Sequence, residues 1–129
     1  MKNKSIWVLI LIILLTACAE EERSIGIVDQ TMSLSYENED IQKLSFSFIV
    51  NSSQKIKTVK LDIVNEIKNR LMETNIEILK MDEYHYNLKG FLLINTEDMS
   101  KEDIVSFDTF INNIILENMD GSSEELTVK

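Results

Sequence analysis

Residues 6–17, IWVLILIILLTA, are apolar almost without a break, so the 44% hydrophobic content of the chain is not spread evenly over it. Lys2 and Lys4 precede the run and a cysteine closes it, the order of charged, apolar and small-residue regions found in a secretory signal. A helix that spans a bilayer needs about 20 apolar residues. This run has 12 and meets the acidic stretch AEEERS just past Cys18, so it is too short to remain as a span. A domain must therefore be built from residues 25–129 alone.

The residues at the end of the run narrow the reading. Leu15, Thr16, Ala17 and Cys18 form LTAC, which resembles the lipobox of bacterial lipoproteins, with Leu three places before Cys and small residues between. The resemblance implies a signal peptide over 1–17 cut before Cys18, a diacylglyceryl group on the Cys18 sulfur and an acylated new amino terminus. One acyl chain binds a bilayer marginally, whereas two or more on one residue hold it durably. The implied address is the outer face of a bacterial cytoplasmic membrane, with the lipid bilayer itself as a partner. Residue 19 is Ala, so no charge beside Cys18 selects between envelope membranes, and an outer membrane fits the same motif. The resemblance covers the first 18 residues and identifies no family for the domain.

With one cysteine in the chain no intramolecular disulfide forms, and lipidation removes the only thiol. Without Lys2 and Lys4 the mature chain has 11 basic residues against 22 acidic ones. Such a surface repels nucleic-acid phosphates, which argues against a nucleic-acid partner. Residues 18–24 form a short tether; its AEEERS reaches roughly 20 Å at about 3.4 Å per extended residue. No repeat or low-complexity tract divides 25–129, which reads as one domain.

Within it, 25–36 alternates, with Val28, Met32, Leu34 and Tyr36 opposite Asp29, Thr31, Ser33 and Ser35, and predicts a strand. ENED at 37–40 is a turn, and 42–50 alternates again, with Leu44, Phe46, Phe48 and Val50 on one side. From Asn51–Ser53 as N-cap candidates to about Glu73, Ile56, Val59, Ile63, Val64, Ile67 and Leu71 fall on one helical stripe. A strand over 56–63 is the alternative, since Val59, Leu61 and Ile63 alternate, but Lys, Glu and Asn at helix-surface spacings favour the helix. Segments 76–81 and 84–95 predict a hairpin. Ser100 and Asp103 have capping-box spacing, and Ile104, Phe107, Phe110, Ile111, Ile114 and Ile115 share a face of a second helix to about Asn118. Residues 124–129 complete the pattern as a short strand. The expected fold is α+β: a two-layer sandwich of a mainly antiparallel sheet of four to five strands with two helices on one face, ferredoxin-like (βαββα) with an extra N-terminal strand.

Such a fold leaves one sheet face open. Ser45, Ser47 and Ile49 from one strand and His85, Asn87, Lys89, Phe91 and Leu93 from another point to it. Ser45, Ser47, His85, Asn87, Lys89 and Phe91, a set of hydroxyls, amide, imidazole, cation and aromatic ring, form the candidate partner-binding face, for an envelope protein or a wall polymer. His85 is the sole histidine and lies in no catalytic motif, so it reads as an exposed strand residue rather than a base. The acidic groups at Glu37, Glu39 and Asp40, at Glu97, Asp98, Glu102 and Asp103, and at Asp120, Glu124 and Glu125 lack EF-hand spacing and read as solvated turns. No metal, cofactor or catalytic residue is expected. The expected role is a non-enzymatic binding or regulatory module at the cell envelope. Two alternatives are a cell-wall or envelope hydrolase using paired carboxylates, and a lipoprotein of envelope stress, sporulation or phage immunity.

Overall fold

Leu44, Phe46, Phe48 and Val50 are buried while Lys43, Ser45, Ser47 and Ile49 between them are half-buried, the period of two that a strand with one covered face imposes. The computed structural model describes residues 25–128. The expected signal peptide, Cys18, the expected tether and Lys129 lie outside the described residues. Along the chain, β1 (Gly26–Asn38) and β2 (Ile41–Asn51) make a hairpin, followed by β3 (Ile56–Ile63) and the single-turn helix α1 (Asn65–Lys68). A second hairpin, β4 (Leu71–Lys80) with β5 (His85–Asn95), comes next. Then come the short helix α2 (Lys101–Val105), a 3-10 turn at Phe107–Thr109, and the hairpin of β6 (Ile111–Asn118) and β7 (Ser123–Thr127).

The strands form two antiparallel sheets, one ordered β1-β2-β5-β4 and the other β3-β6-β7. Their inner faces meet in one core. The first sheet contributes the four β2 residues above with Tyr86, Leu88, Leu92 and Ile94; the second contributes Ile56, Ile63, Ile111, Ile114, Leu116 and Leu126. Each sheet hides the other's apolar face, which is why no helical layer is required.

The α+β, ferredoxin-like expectation is therefore overturned: the domain is a β-sandwich. The stretch expected as a helix to Glu73 is β3, α1 and the start of β4. The stretch expected as a helix to Asn118 is α2, the 3-10 turn and β6. Bulges account for the misreading. Ile56 pairs with Asn118 and Thr58 with Glu117, leaving Lys57 as an extra residue. Asp62 pairs with Asn113 and Ile63 with Ile111, leaving Asn112 extra. Each extra residue stretches one step of the inward pattern from two to three, so Ile56, Val59 and Ile63, like Ile111 and Ile114, stand at spacings that a helix also satisfies. The Ser100 cap does form, its Oγ accepting from the Asp103 N–H at 3.1 Å, but the helix it starts has five residues and buries none of them.

The sandwich has two unlike ends. At one, α1, α2 and the 3-10 turn close the core with Ile67 and Phe110. Arg70 ties this end together, its Nη1 donating to the carbonyls of Asn95 at 3.1 Å and Glu97 at 2.7 Å. The other end holds the start of β1, the 52–55 loop and the turns after β4 and β6. Of the remaining expectations, the two N-terminal strands, the 76–95 hairpin and a C-terminal strand are present, the last at Ser123–Thr127. Val28, expected to face inward, is the extra residue of a bulge between Ile27 and Asp29 and is exposed. Tyr36 and Tyr84 are exposed as well.

Candidate binding face

The outer face of the first sheet is a grid whose rows follow from strand register. One row runs Ser33, Ser45, Phe91, Asn75 across β1, β2, β5 and β4; the next runs Thr31, Ser47, Lys89, Glu77. Flanking these are Ser35, Lys43, Leu93, Glu73 on one side and Asp29, Ile49, Asn87, Leu79 on the other. Facing residues on neighbouring strands are close enough for direct contact.

The two central rows line a concavity of about 520 Å³ with Lys43, Phe46 and Gly90. Gly90 shapes it. A Cβ there would stand 1.8 Å from the carbonyl oxygen of Asn75, so β4 lies against β5 more closely than any side chain at this position would permit. Thr31, Ser33, Ser45 and Ser47 form a two-by-two block of hydroxyls, each able to donate and accept. Ser47 Oγ donates to Asn87 Oδ1 at 2.8 Å, and the Lys43 ammonium stands 4.3 Å from the centre of the Phe91 ring. That cation–π contact holds two side chains in place on the floor of an otherwise hydrophilic surface. Lys43 and Lys89 against Glu77 make the lining locally non-acidic in a chain of formal charge -9.

Of the residues expected at the site, Ser45, Ser47, Lys89 and Phe91 line the concavity and Asn87 borders it. His85 does not. It lies at the end of the sheet, where its Nδ1 is 2.8 Å from Asp82 Oδ1. The same carboxylate accepts from the N–H groups of Tyr84 and His85, each at 2.9 Å. These bonds, led by that from the Tyr84 N–H and followed by that from the His85 side chain, hold the Asp82 pKa below its ordinary value. Asp120 is held down likewise, first by the Ser122 hydroxyl and then by its N–H. Both acids are therefore turn-forming groups. Among the described residues, no group of three or more His, Cys, Asp or Glu side chains could hold a metal ion.

Thr31, Ser33, Lys43, Asn75 and Glu77 were not assigned to the site from sequence. The polar side of β1 was visible as alternation, and Gly90 inside a strand was a sign of close backbone approach. Asn75 is hidden in the sequence because it falls between the expected helix, which runs to about Glu73, and the expected strand at 76–81. Nothing matched when the chain was compared with protein-family models, curated proteins and solved structures.

Proposed function

We propose that this chain is an extracytoplasmic lipoprotein, held at the outer face of a bacterial cytoplasmic membrane through acylated Cys18, and that its open sheet face binds an envelope protein or wall polymer. The observation that carries the binding role is the hydroxyl block beside Phe91, Lys89 and Asn75 in the concavity. Small hydroxyls lose little conformational entropy when they bind, and a lining of donors and acceptors around one ring suits a polar, extended ligand.

The test uses the full chain in cells, with a photo-crosslinking residue at Ser45 or at Glu117 on the outer side of the second sheet. A discrete adduct at Ser45 that is absent at Glu117 and lost when Lys43 and Lys89 are both changed to Glu supports the reading. Equal labelling at the two positions overturns it. Anchoring is tested separately: the Cys18→Ala chain should leave the membrane fraction, and retention of a correctly cut chain there rejects the lipoprotein assignment.

A further inference from the structure

The end of the sandwich where β1 begins is also where apolar side chains project from the turns. Met81 and Tyr84 in the β4–β5 turn are 56% and 41% exposed, and Met119 in the β6–β7 turn is 62% exposed. These turns belong to different sheets, yet they form one surface. The Tyr84 carbonyl accepts from the Ser52 N–H at 2.8 Å, and the Lys55 carbonyl accepts from the Met119 N–H at 2.9 Å, so the 52–55 loop joins them. Leu79 continues the exposed apolar surface onto β4, and Val28, also exposed, lies across the sheet on β1.

The chain enters at this same end. Gly26 pairs with Asn51 and Asn51 with His85, whose carbonyl accepts from the Met81 N–H. Gly26 and Met81 are thus three strand spacings apart, roughly 14 Å at about 4.8 Å each. From Cys18 to Ile25 there are seven residue-to-residue steps, which span at most about 24 Å. If Cys18 is acylated, the start of β1 cannot stand farther than that from the lipid.

We propose that the β4–β5 and β6–β7 turns form a second membrane contact, with Met81, Tyr84 and Met119 set into the headgroup layer and the strands standing on the bilayer. The proposal rests on the anchoring reading above. Tyr suits the interface because its ring is apolar and its hydroxyl stays wet. The charges at this end are mixed, with Lys55 and Lys80 beside Asp82, Glu83 and Asp120, so the contact is apolar and does not depend on anionic lipid. At the helical end the exposed apolar residues Tyr36, Met72 and Val105 lie apart on β1, β4 and α2, and Gly26, where the described chain enters the fold, is at the opposite end.

The mature chain contains no Trp, because Trp7 lies in the signal, so an introduced indole reports without background. The lipidated full chain bearing Tyr84→Trp, Met119→Trp or Tyr36→Trp is reconstituted in phosphatidylcholine vesicles whose acyl chains are brominated. The expected result is bromine quenching and a blue shift at positions 84 and 119, neither at 36, and no change when anionic lipid or salt is added. If the chain floats with vesicles but 84 and 119 are quenched no more than 36, the tether alone holds it and the proposal fails. Quenching that requires anionic lipid overturns the apolar contact. Failure to float overturns anchoring and this proposal together.

Discussion

Gly90 occupies an inward position of β5 between Leu88 and Leu92, and the space a side chain would take is filled by the Asn75 carbonyl of β4. Gly90→Ala should therefore force the two backbones apart and cost at least about 3 kcal/mol, the upper part of the range for overpacking. Gly26→Ala, with nothing within 4 Å of the new Cβ, should stay within about 0.5 kcal/mol. Urea midpoints of the two variants decide whether close strand approach governs this position. Asp82 offers a test by pH. Its folded pKa lies below the ordinary 3.8, so its contribution to stability is complete above that value and is lost as pH falls through the lower, folded one. Asp82→Asn keeps an acceptor for the Tyr84 N–H but carries no charge. Denaturation between about pH 5 and pH 2 should show a shallower acid loss for the variant than for the parent chain. Equal slopes would mean that the carboxylate bonds do not survive in solution.

Strands differed in how plainly the sequence announced them. β2 and β5 were legible because each alternates over its whole core-facing length, with Leu44, Phe46, Phe48 and Val50 or Tyr86, Leu88, Leu92 and Ile94 inward. β3 and β6 were not, because Lys57 and Asn112 each break the alternation by one residue and leave apolar spacings that a helix also satisfies. Leu61 was the informative exception: it lies off the helical stripe but on the strand face. In 111–118 the sequence INNIILEN, rich in Ile and Asn, carries weak helix propensity, a signal that apolar spacing outweighed in the reading. The two models separate at adjacent residues. As a strand, β6 buries Leu116 and leaves Ile115 half-buried on the other side. Leu116→Ala should cost about 2–5 kcal/mol, and Ile115→Thr no more than about 1 kcal/mol. A helical 100–118 would place Ile115 inward and reverse that order. Half of the candidate face was readable for the same reason as β2 and β5: its residues are the alternate ones between core positions.

At the scale of the molecule, every strand pair is antiparallel and the chain crosses between sheets after β2, β3 and β5. Long loops must close before β3 finds β6, so folding should take milliseconds to seconds, as it does for other sandwiches. The sequence contains no Pro, which removes the isomerisation that commonly slows such folds by tens of seconds. Stopped-flow refolding should accordingly show no phase lasting tens of seconds. Finding one would mean that a different event, such as association of unpaired β1 or β4 edges, competes with closure of the sandwich.

The strict division of β2 and β5 into core and surface positions has an evolutionary consequence. Thr31, Ser33, Ser45, Ser47 and Asn75 lie on the outer side of the sheet while the residues between them face the core. If the face binds a ligand as proposed, substitutions on the grid can change what it recognises with little effect on whether the domain folds, since outward side chains away from special features contribute little to stability. Selection for a new ligand and selection for a folded chain thus act on separate letters of the same strands. Gly90 is where the two meet: it admits the close backbone approach of β4 that shapes the concavity, and should change more slowly than the hydroxyls around it.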